Sequence, residues 1–325
     1  MMRVFEITTG CLRRNAAAES GPLPESAIWI DLNAPTPDEV KRTEALLGIV
    51  APTREEMQEI EASSRVYHED GGHFMTTSVV SRTETDSPDS SAVTFVLAND
   101  RLLTLRYSEP MPFNTFPARA ERQPGLWTTA EGVLAGLLEA VIDRTADILE
   151  RVSAEIDVLS KEAFGRTPSG ANVDARELQN LLVRLGRAND ISSKVRESLV
   201  GTSRVLTFLT QALEGKPSKE LKAMLKTLAR DVQSLSDHTT FLSSKVEFLL
   251  SAILGLINLD QNRVIKILSI AASVFLPPTL IASFYGMNFH NMPELSSDWG
   301  YPLATAAIVL SGVLPFLFFK WRKWL

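Results

Sequence analysis

The chain has 325 residues, a net charge of −6, 45% hydrophobic residues and 22% charged residues. That much apolar material excludes a disordered chain. A single cysteine, Cys11, excludes a disulfide framework and a thiolate zinc cluster, and His68, His73, His238 and His290 lack metal-ligand spacing. The average hides an asymmetry: residues 1–262 carry a net −9, whereas residues 263–325 carry a net +3.

The N-terminus, MMRVFEITTG, has no apolar stretch of signal-peptide length, so no secretory segment is expected. Residues 1–125 read as a cytoplasmic α/β domain of mixed strand and helix. Strands are predicted at Arg3–Thr8, Ala27–Asp31, Phe74–Arg82, Ala92–Ala98 and Arg101–Tyr107, the last two joined through a tight Asn99-Asp100 turn. Two helices are predicted from capping boxes, Thr36-Pro37-Asp38-Glu39 and Thr53-Arg54-Glu55-Glu56. Thr83–Ser91 reads as a polar loop. There is no G-x-x-x-x-G-K-[ST] phosphate loop and no nucleophile–base pair, so the domain reads as regulatory or assembly-forming rather than enzymatic.

Residues 126–262 read as a helical stalk. A capping box at Thr128-Thr129-Ala130-Glu131 opens a helix that reaches about Phe164 and ends at the loop Gly165–Gly170. A second helix runs from Asp174 to about Leu213, and Gly215-Lys216-Pro217 separates it from a third that begins near Ser218. In the third, Leu221, Leu225, Leu228, Val232, Leu235, Thr239, Leu242, Val246, Leu249, Ile253 and Leu256 form an unbroken heptad seam. With no breaker before the apolar tail, this helix is expected to run from Ser218 to Gly286, roughly 100 Å. It can be a rigid stalk that carries movement or one member of a plain antiparallel bundle.

Residues 263–325 read as a transmembrane hairpin, with spans at about 265–285 and 301–319 and an outer loop at 286–300. Ile267–Tyr285 and Tyr301–Phe319 each hold 19 residues without a charge, which at ~1.5 Å per residue matches a bilayer core of about 30 Å. Arg263 and Lys266 precede the first span and Lys320, Arg322 and Lys323 follow the second, while the loop has neither Lys nor Arg. The positive-inside rule then puts both termini in the cytoplasm. Tyr285, Trp299, Tyr301, Trp321 and Trp324 stand where an aromatic belt is expected.

Two spans cannot enclose an aqueous path, but several copies around an axis can. Asn262, Ile265, Leu268 with Ser269, Ala272, Leu276, Thr279, Ser283 and Gly286 form one row at spacings of three and four, mixing apolar residues with small hydroxyls. This row can line a pore or serve as a helix-packing face. Pro277-Pro278 interrupts the hydrogen bonding of the same span, giving either a pivot or a kink tolerated by packing.

The loop then carries Tyr285-Gly286-Met287-Asn288 followed by Met292-Pro293-Glu294-Leu295. Placed between two C-terminal spans, this resembles the outer loop of the CorA family of magnesium channels. The likeness extends through Asn262-Arg263, Leu276-Pro277-Pro278-Thr279, Trp299-Gly300-Tyr301-Pro302 and the terminal KWRKWL, and MPEL favours the magnesium branch over the zinc-transporting one. It implies a funnel-shaped homopentamer in a bacterial-type inner membrane, driven by the membrane potential and closed by cytoplasmic magnesium. It also implies ion selection at the Gly286, Met287 and Asn288 mouth, and a pore lined by Asn262, Ile265, Leu268, Ala272, Leu276, Thr279 and Ser283. Thr279 would be a polar ring, and Leu268 and Leu276 constrictions. Glu294 and Asp298 would concentrate cations outside, and Lys320, Arg322 and Lys323 would form a basic ring at the inner mouth. The partners implied are divalent cations, lipid and further copies of the chain, with no nucleic acid. Asp231, Asp237, Glu247 and Asp260 are stalk carboxylates that can contribute to a regulatory magnesium site, but none is assigned. Two alternatives stay open: transport of zinc, cobalt or nickel, and a non-conducting membrane-anchored sensor.

Overall fold

The computed structural model describes residues 1–83, 88–165, 175–213, 218–287, 292, 297–322 and 324. The chain forms two compact units: Met1–Thr167 with Asn180–Leu249, and Pro168–Gln179 with Leu250–Leu325.

The first unit is built on a seven-stranded sheet. Strands β1 (Met2–Thr8) and β2 (Cys11–Arg14) form a hairpin, followed by helix α1 (Ala16–Ser20), strand β3 (Ala27–Asn33) and helix α2 (Pro37–Leu47). A single 3₁₀ turn (Glu56–Gln58) and the short helix α3 (Ala62–Arg65) lead into β4 (Val66–Glu69), β5 (Gly72–Ser81), β6 (Asp89–Ala98) and β7 (Arg101–Arg106). The sheet order is β2-β1-β3-β7-β6-β5-β4, with β3 and β7 parallel and the remaining neighbours antiparallel. All five predicted strands are present; the edge strands β2 and β4 are additions. Asn99 and Asp100 both adopt positive φ (49° and 56°), the backbone a two-residue hairpin with right-handed twist demands.

The Thr36 capping box forms in full: Thr36 Oγ1 accepts from the Glu39 amide at 3.3 Å, and the Glu39 carboxylate accepts from the Thr36 amide at 2.8 Å. The Thr53 box also closes, through Glu56, but only the 3₁₀ turn Glu56–Gln58 follows it, correcting the expectation of a second helix there. The polar stretch Thr83–Ser91 is also shorter than expected, because Asp89–Ser91 already belongs to β6; residues 84–87 lie outside the described residues.

Alternating side chains bury both faces of the sheet. One face carries Met2, Val4, Ile30, Leu32, Phe74, Val96, Leu103 and Leu105, against Leu47 of α2 and Met57 of the 3₁₀ turn. On the other side lie helix α4 (Pro112–Ala120) and the 35-residue α5 (Ala130–Phe164). Trp29 there is fully buried, stacked on Phe5 at 4.2 Å and edge-on to Phe116 at 6.0 Å. The N-cap of α5 is Thr129, whose hydroxyl accepts from the Gly132 amide at 3.1 Å, one residue later than the sequence pattern indicates.

A buried ion cluster ties three strands together. Asp31 on β3 is wholly buried and receives Arg106 of β7 in two hydrogen bonds, at 2.9 and 3.0 Å, and Arg3 of β1 at 2.6 and 2.9 Å. Thr104 Oγ1 donates to the same carboxylate at 2.8 Å and accepts from the Trp29 indole at 3.0 Å. Every oxygen of Asp31 is thus satisfied, which a dry carboxylate requires.

Helix α6 (Ala175–Ala212) follows, and then α7 (Lys219–Tyr285), 67 residues without a break. Ser218 Oγ accepts from the Leu221 amide at 3.2 Å and caps its start. Within the first unit the α7 seam is buried at Leu225, Leu228, Val232, Thr239, Leu242, Val246 and Leu249, and half-buried at Leu221 and Leu235. Thr239 fits because its hydroxyl donates to the Leu235 carbonyl at 2.7 Å. Gly201 of α6 sits so close to Thr77 of β5 that a Cβ there would collide with the threonine hydroxyl.

The second unit contains the start of α6, the end of α7 and helix α8 (Gly300–Trp321). Helices α7 and α8 are long and apolar enough to cross a membrane, with mean hydropathies of 1.9 and 2.0 over their most apolar windows, of which 6% and 0% of residues are buried. Apolar helices left this bare are not the core of a soluble fold; they require lipid or further protein around them.

Candidate ion pathway

The face of α7 that meets α8 is set by Gly312. The α8 backbone at Gly312 comes against Pro278 and the Val274 carbonyl, with an added Cβ falling 3.3 Å from Pro278 Cγ and 3.6 Å from that oxygen. On this face Ile270 is buried, and Lys266, Val274, Pro277, Pro278, Ile281 and Tyr285 are half-buried.

The predicted row behaves oppositely. Asn262, Ile265, Leu268, Ser269, Ala272, Leu276, Thr279, Ser283 and Gly286 are all exposed. At about 100° per residue their mean direction lies roughly 180° from the Gly312 face. The row is therefore a stripe that α8 leaves uncovered. Ile265, Leu268 and Leu276 are 60–69% exposed, bulky apolar side chains on the side of α7 away from α8. Between the two leucines and Ser283 stands Thr279, whose Oγ1 donates to the Phe275 carbonyl at 2.7 Å. With its proton committed to the backbone, that oxygen faces outward as an acceptor. Waters coordinating a cation present hydrogens outward, so an outward acceptor is the group suited to a hydrated cation.

At the loop, Gly286 and Met287 follow the last turn of α7 and are exposed. Asn288 and Glu294 lie outside the described residues. Asp298 is exposed beside Trp299 and Tyr301, which are 71% and 83% exposed. At the opposite end Lys320 and Arg322 are exposed, and Lys323 lies outside the described residues. The Arg322 guanidinium sits 5.8 Å from the Trp321 ring and 5.9 Å from Phe318, and the Lys266 ammonium 5.5 Å from the Trp324 ring. Sequence reasoning missed this Lys266–Trp324 pairing and the Gly312–Pro278 contact. The second had a signal in Ser311-Gly312, small residues inside an apolar span.

On the first unit, Asp231, Asp237 and Glu247 are exposed. Among the described residues no group of three or more His, Cys, Asp or Glu is close enough to hold a metal ion. Asp143 of α5 has its carboxyl raised above the ordinary aspartate range by partial burial and then by Glu139, against the pull of Arg119, with Asp147 and Asp231 adding to the rise.

A family profile described as "CorA-like Mg2+ transporter protein" matches residues 24–321. The "Magnesium transport protein CorA" of Escherichia coli (strain K12) is 38% identical over 325 residues, covering 100% of both chains, and that of Salmonella typhimurium (strain LT2) is 37% identical over the same length. The complete structure of the CorA magnesium transporter from Methanocaldococcus jannaschii superposes with a TM-score of 0.76 at 17% identity, covering 100% of this chain and 99% of that one, which shows a shared fold. The likeness first read from the membrane hairpin therefore extends across the α/β body and long helices, and the chain belongs to the CorA-like Mg2+ transporter family.

Proposed function

We propose that the chain conducts magnesium across the inner membrane as an oligomer, five copies by the family resemblance, whose α7 helices line the path. In this reading residues 1–125 and 126–262 are the cytoplasmic domain and stalk, residues 263–325 are the membrane hairpin, and both ends face the cytoplasm. The observation that carries it is the uncovered row from Asn262 to Gly286. It is exposed along its whole length, opposite the face that meets α8, and carries no charge.

The chemistry of the row suits a small, strongly hydrated ion. Magnesium gives up its waters reluctantly. The Asn288 amide and the Thr279 hydroxyl offer neutral oxygens that accept hydrogen bonds from those waters, and a neutral site releases a divalent ion faster than a carboxylate ring would. Leu268 and Leu276 form apolar rings that stop conduction by dewetting when they close. Glu294 and Asp298 raise the cation concentration outside. A potential of 100 mV contributes roughly 4.6 kcal/mol for a doubly charged ion, enough to drive influx without ATP. Magnesium on the cytoplasmic side closes the path by binding oxygen ligands of the acidic body.

The test is magnesium flux into liposomes holding the purified chain. Asn288→Ala is expected to lose uptake while the oligomer stays intact by size-exclusion chromatography; full uptake by an assembled Asn288→Ala oligomer would remove Asn288 from the mouth. Competition by zinc, cobalt and nickel in the same assay ranks the ions, and a parent protein that carries no ion would sink the channel reading.

A further inference from the structure

Lys266, at the lower end of the hairpin, sits on the wrong side of α7 to face the row. Lys266 belongs to the helix face that carries Ile270, Val274 and Pro278, the face that meets α8, and Arg263, three residues earlier, shares that face by spacing. The Lys266 ammonium lies 5.5 Å from the Trp324 ring, and Trp324 stacks on Phe319 of α8 at 5.7 Å, so the Trp324 side chain touches both helices. Arg322 stands between Trp321 and Phe318, and Trp321 is 78% exposed. Two cation–indole pairs, Lys266 with Trp324 and Arg322 with Trp321, thus stand about where the apolar spans end, their indoles 52% and 78% exposed.

We propose that Lys266, Arg322, Trp321 and Trp324 form a binding site for the phosphate headgroup of an anionic phospholipid on the outer, lipid-facing side of the hairpin. The proposal rests on the hairpin lying in a membrane. The charge complementarity is direct: the cluster is cationic, and it stands at the level of the anionic headgroups of the cytoplasmic leaflet. The indoles fit the same place, with their rings at the acyl boundary and their N–H groups toward the headgroups. Lys266 and Arg322 come from the beginning and end of the hairpin, so one headgroup bridging them would fasten α7 to the tail of α8.

The full chain carrying Trp299→Phe leaves Trp321 and Trp324 as the membrane-level fluorophores, because Trp29 and Trp127 are buried in the first unit. Reconstituted into phosphatidylcholine vesicles, it is titrated with brominated phosphatidylglycerol or brominated phosphatidylcholine, and tryptophan quenching is recorded. The brominated phosphatidylglycerol is expected to quench at an about fivefold lower mole fraction, and Lys266→Gln with Arg322→Gln to remove that preference. Equal quenching by both lipids, or a preference that survives the double substitution, overturns the site. Loss of the preference on adding inorganic phosphate would assign the cluster to a free anion and overturn the lipid as its occupant. Magnesium flux by the parent protein is read on the same vesicles. Lipid preference without flux defeats only the channel reading, and flux without lipid preference defeats only this one.

Discussion

Gly312 of α8 lies against Pro278 of α7, close enough that an added Cβ would stand 3.3 Å from the ring Cγ. Pro278 has no N–H to give the Val274 carbonyl one turn earlier, and this is the carbonyl that the Gly312 backbone approaches. The contact pairs the residue that frees a backbone acceptor with the residue type that permits the closest neighbour. Gly312→Val should force the helices apart at a cost of about 1–3 kcal/mol, seen as a lower thermal midpoint of the assembled protein in detergent. An unchanged midpoint would mean the helices do not meet here.

Leu276 is 65% exposed on the uncovered row, three residues before the outward-facing Thr279 hydroxyl. If it closes the path by dewetting, Leu276→Ser should hold water and leak ions under high cytoplasmic magnesium. Planar-bilayer currents several-fold above the parent are expected in that closed condition. Currents indistinguishable from the parent would show that the constriction lies at another ring, with Ile265 and Leu268 the next to replace.

Arg106 and Asp31 are both buried, and Arg106 supplies two of the hydrogen bonds that keep the carboxylate satisfied. Arg106→Met removes one cation and leaves a dry carboxylate with Arg3 and Thr104 alone, which should cost roughly 3–5 kcal/mol. Urea unfolding followed by circular dichroism should show a clearly earlier midpoint. A loss within experimental error would mean that Arg3 and Thr104 together satisfy Asp31.

Asp143 gives a pH prediction. Its carboxyl is raised by burial and by neighbouring acids, so the folded chain holds that proton more tightly than the unfolded one. Its contribution is fully present below the ordinary aspartate range and is lost as pH rises through its raised value. Asp143→Asn should therefore stabilise the protein slightly at neutral pH, with the gain over the parent vanishing as pH falls toward 4. The side chain is 66% exposed, so the effect is small. A variant less stable than the parent at pH 7 would mean the attraction to Arg119 outweighs both burial and repulsion.

Features that depend on neighbours in sequence were legible. The Asn99-Asp100 turn needs only two residues tolerant of positive φ, and the Thr36 box only a Thr–Glu pair three apart. The α7 seam announced itself by its period, Thr239 included, because a threonine can satisfy its hydroxyl within its own helix. The strands β2 and β4 were not legible. Each is a four-residue edge strand paired on one side, too short to show alternation. Helix α4 was hidden by Pro117 in its interior. The Asp31–Arg106 pair was out of reach too, since it depends on the parallel register of strands 75 residues apart. In the candidate pathway the row was visible as a spacing, but not which way it faced. That direction is defined by Gly312, a residue on the other helix.

The uncovered row has a consequence for acid–base behaviour. From Asn262 to Gly286 its members are amide, hydroxyl, aliphatic or glycine, and none exchanges a proton near neutrality. If ions move along this stripe as proposed, they meet the same walls at about pH 5 as at about pH 8. On the proposed pathway, sensitivity of transport to acidity would then enter outside the row, through His290, Glu294 and Asp298 of the outer loop or through the carboxylates and histidines of the body.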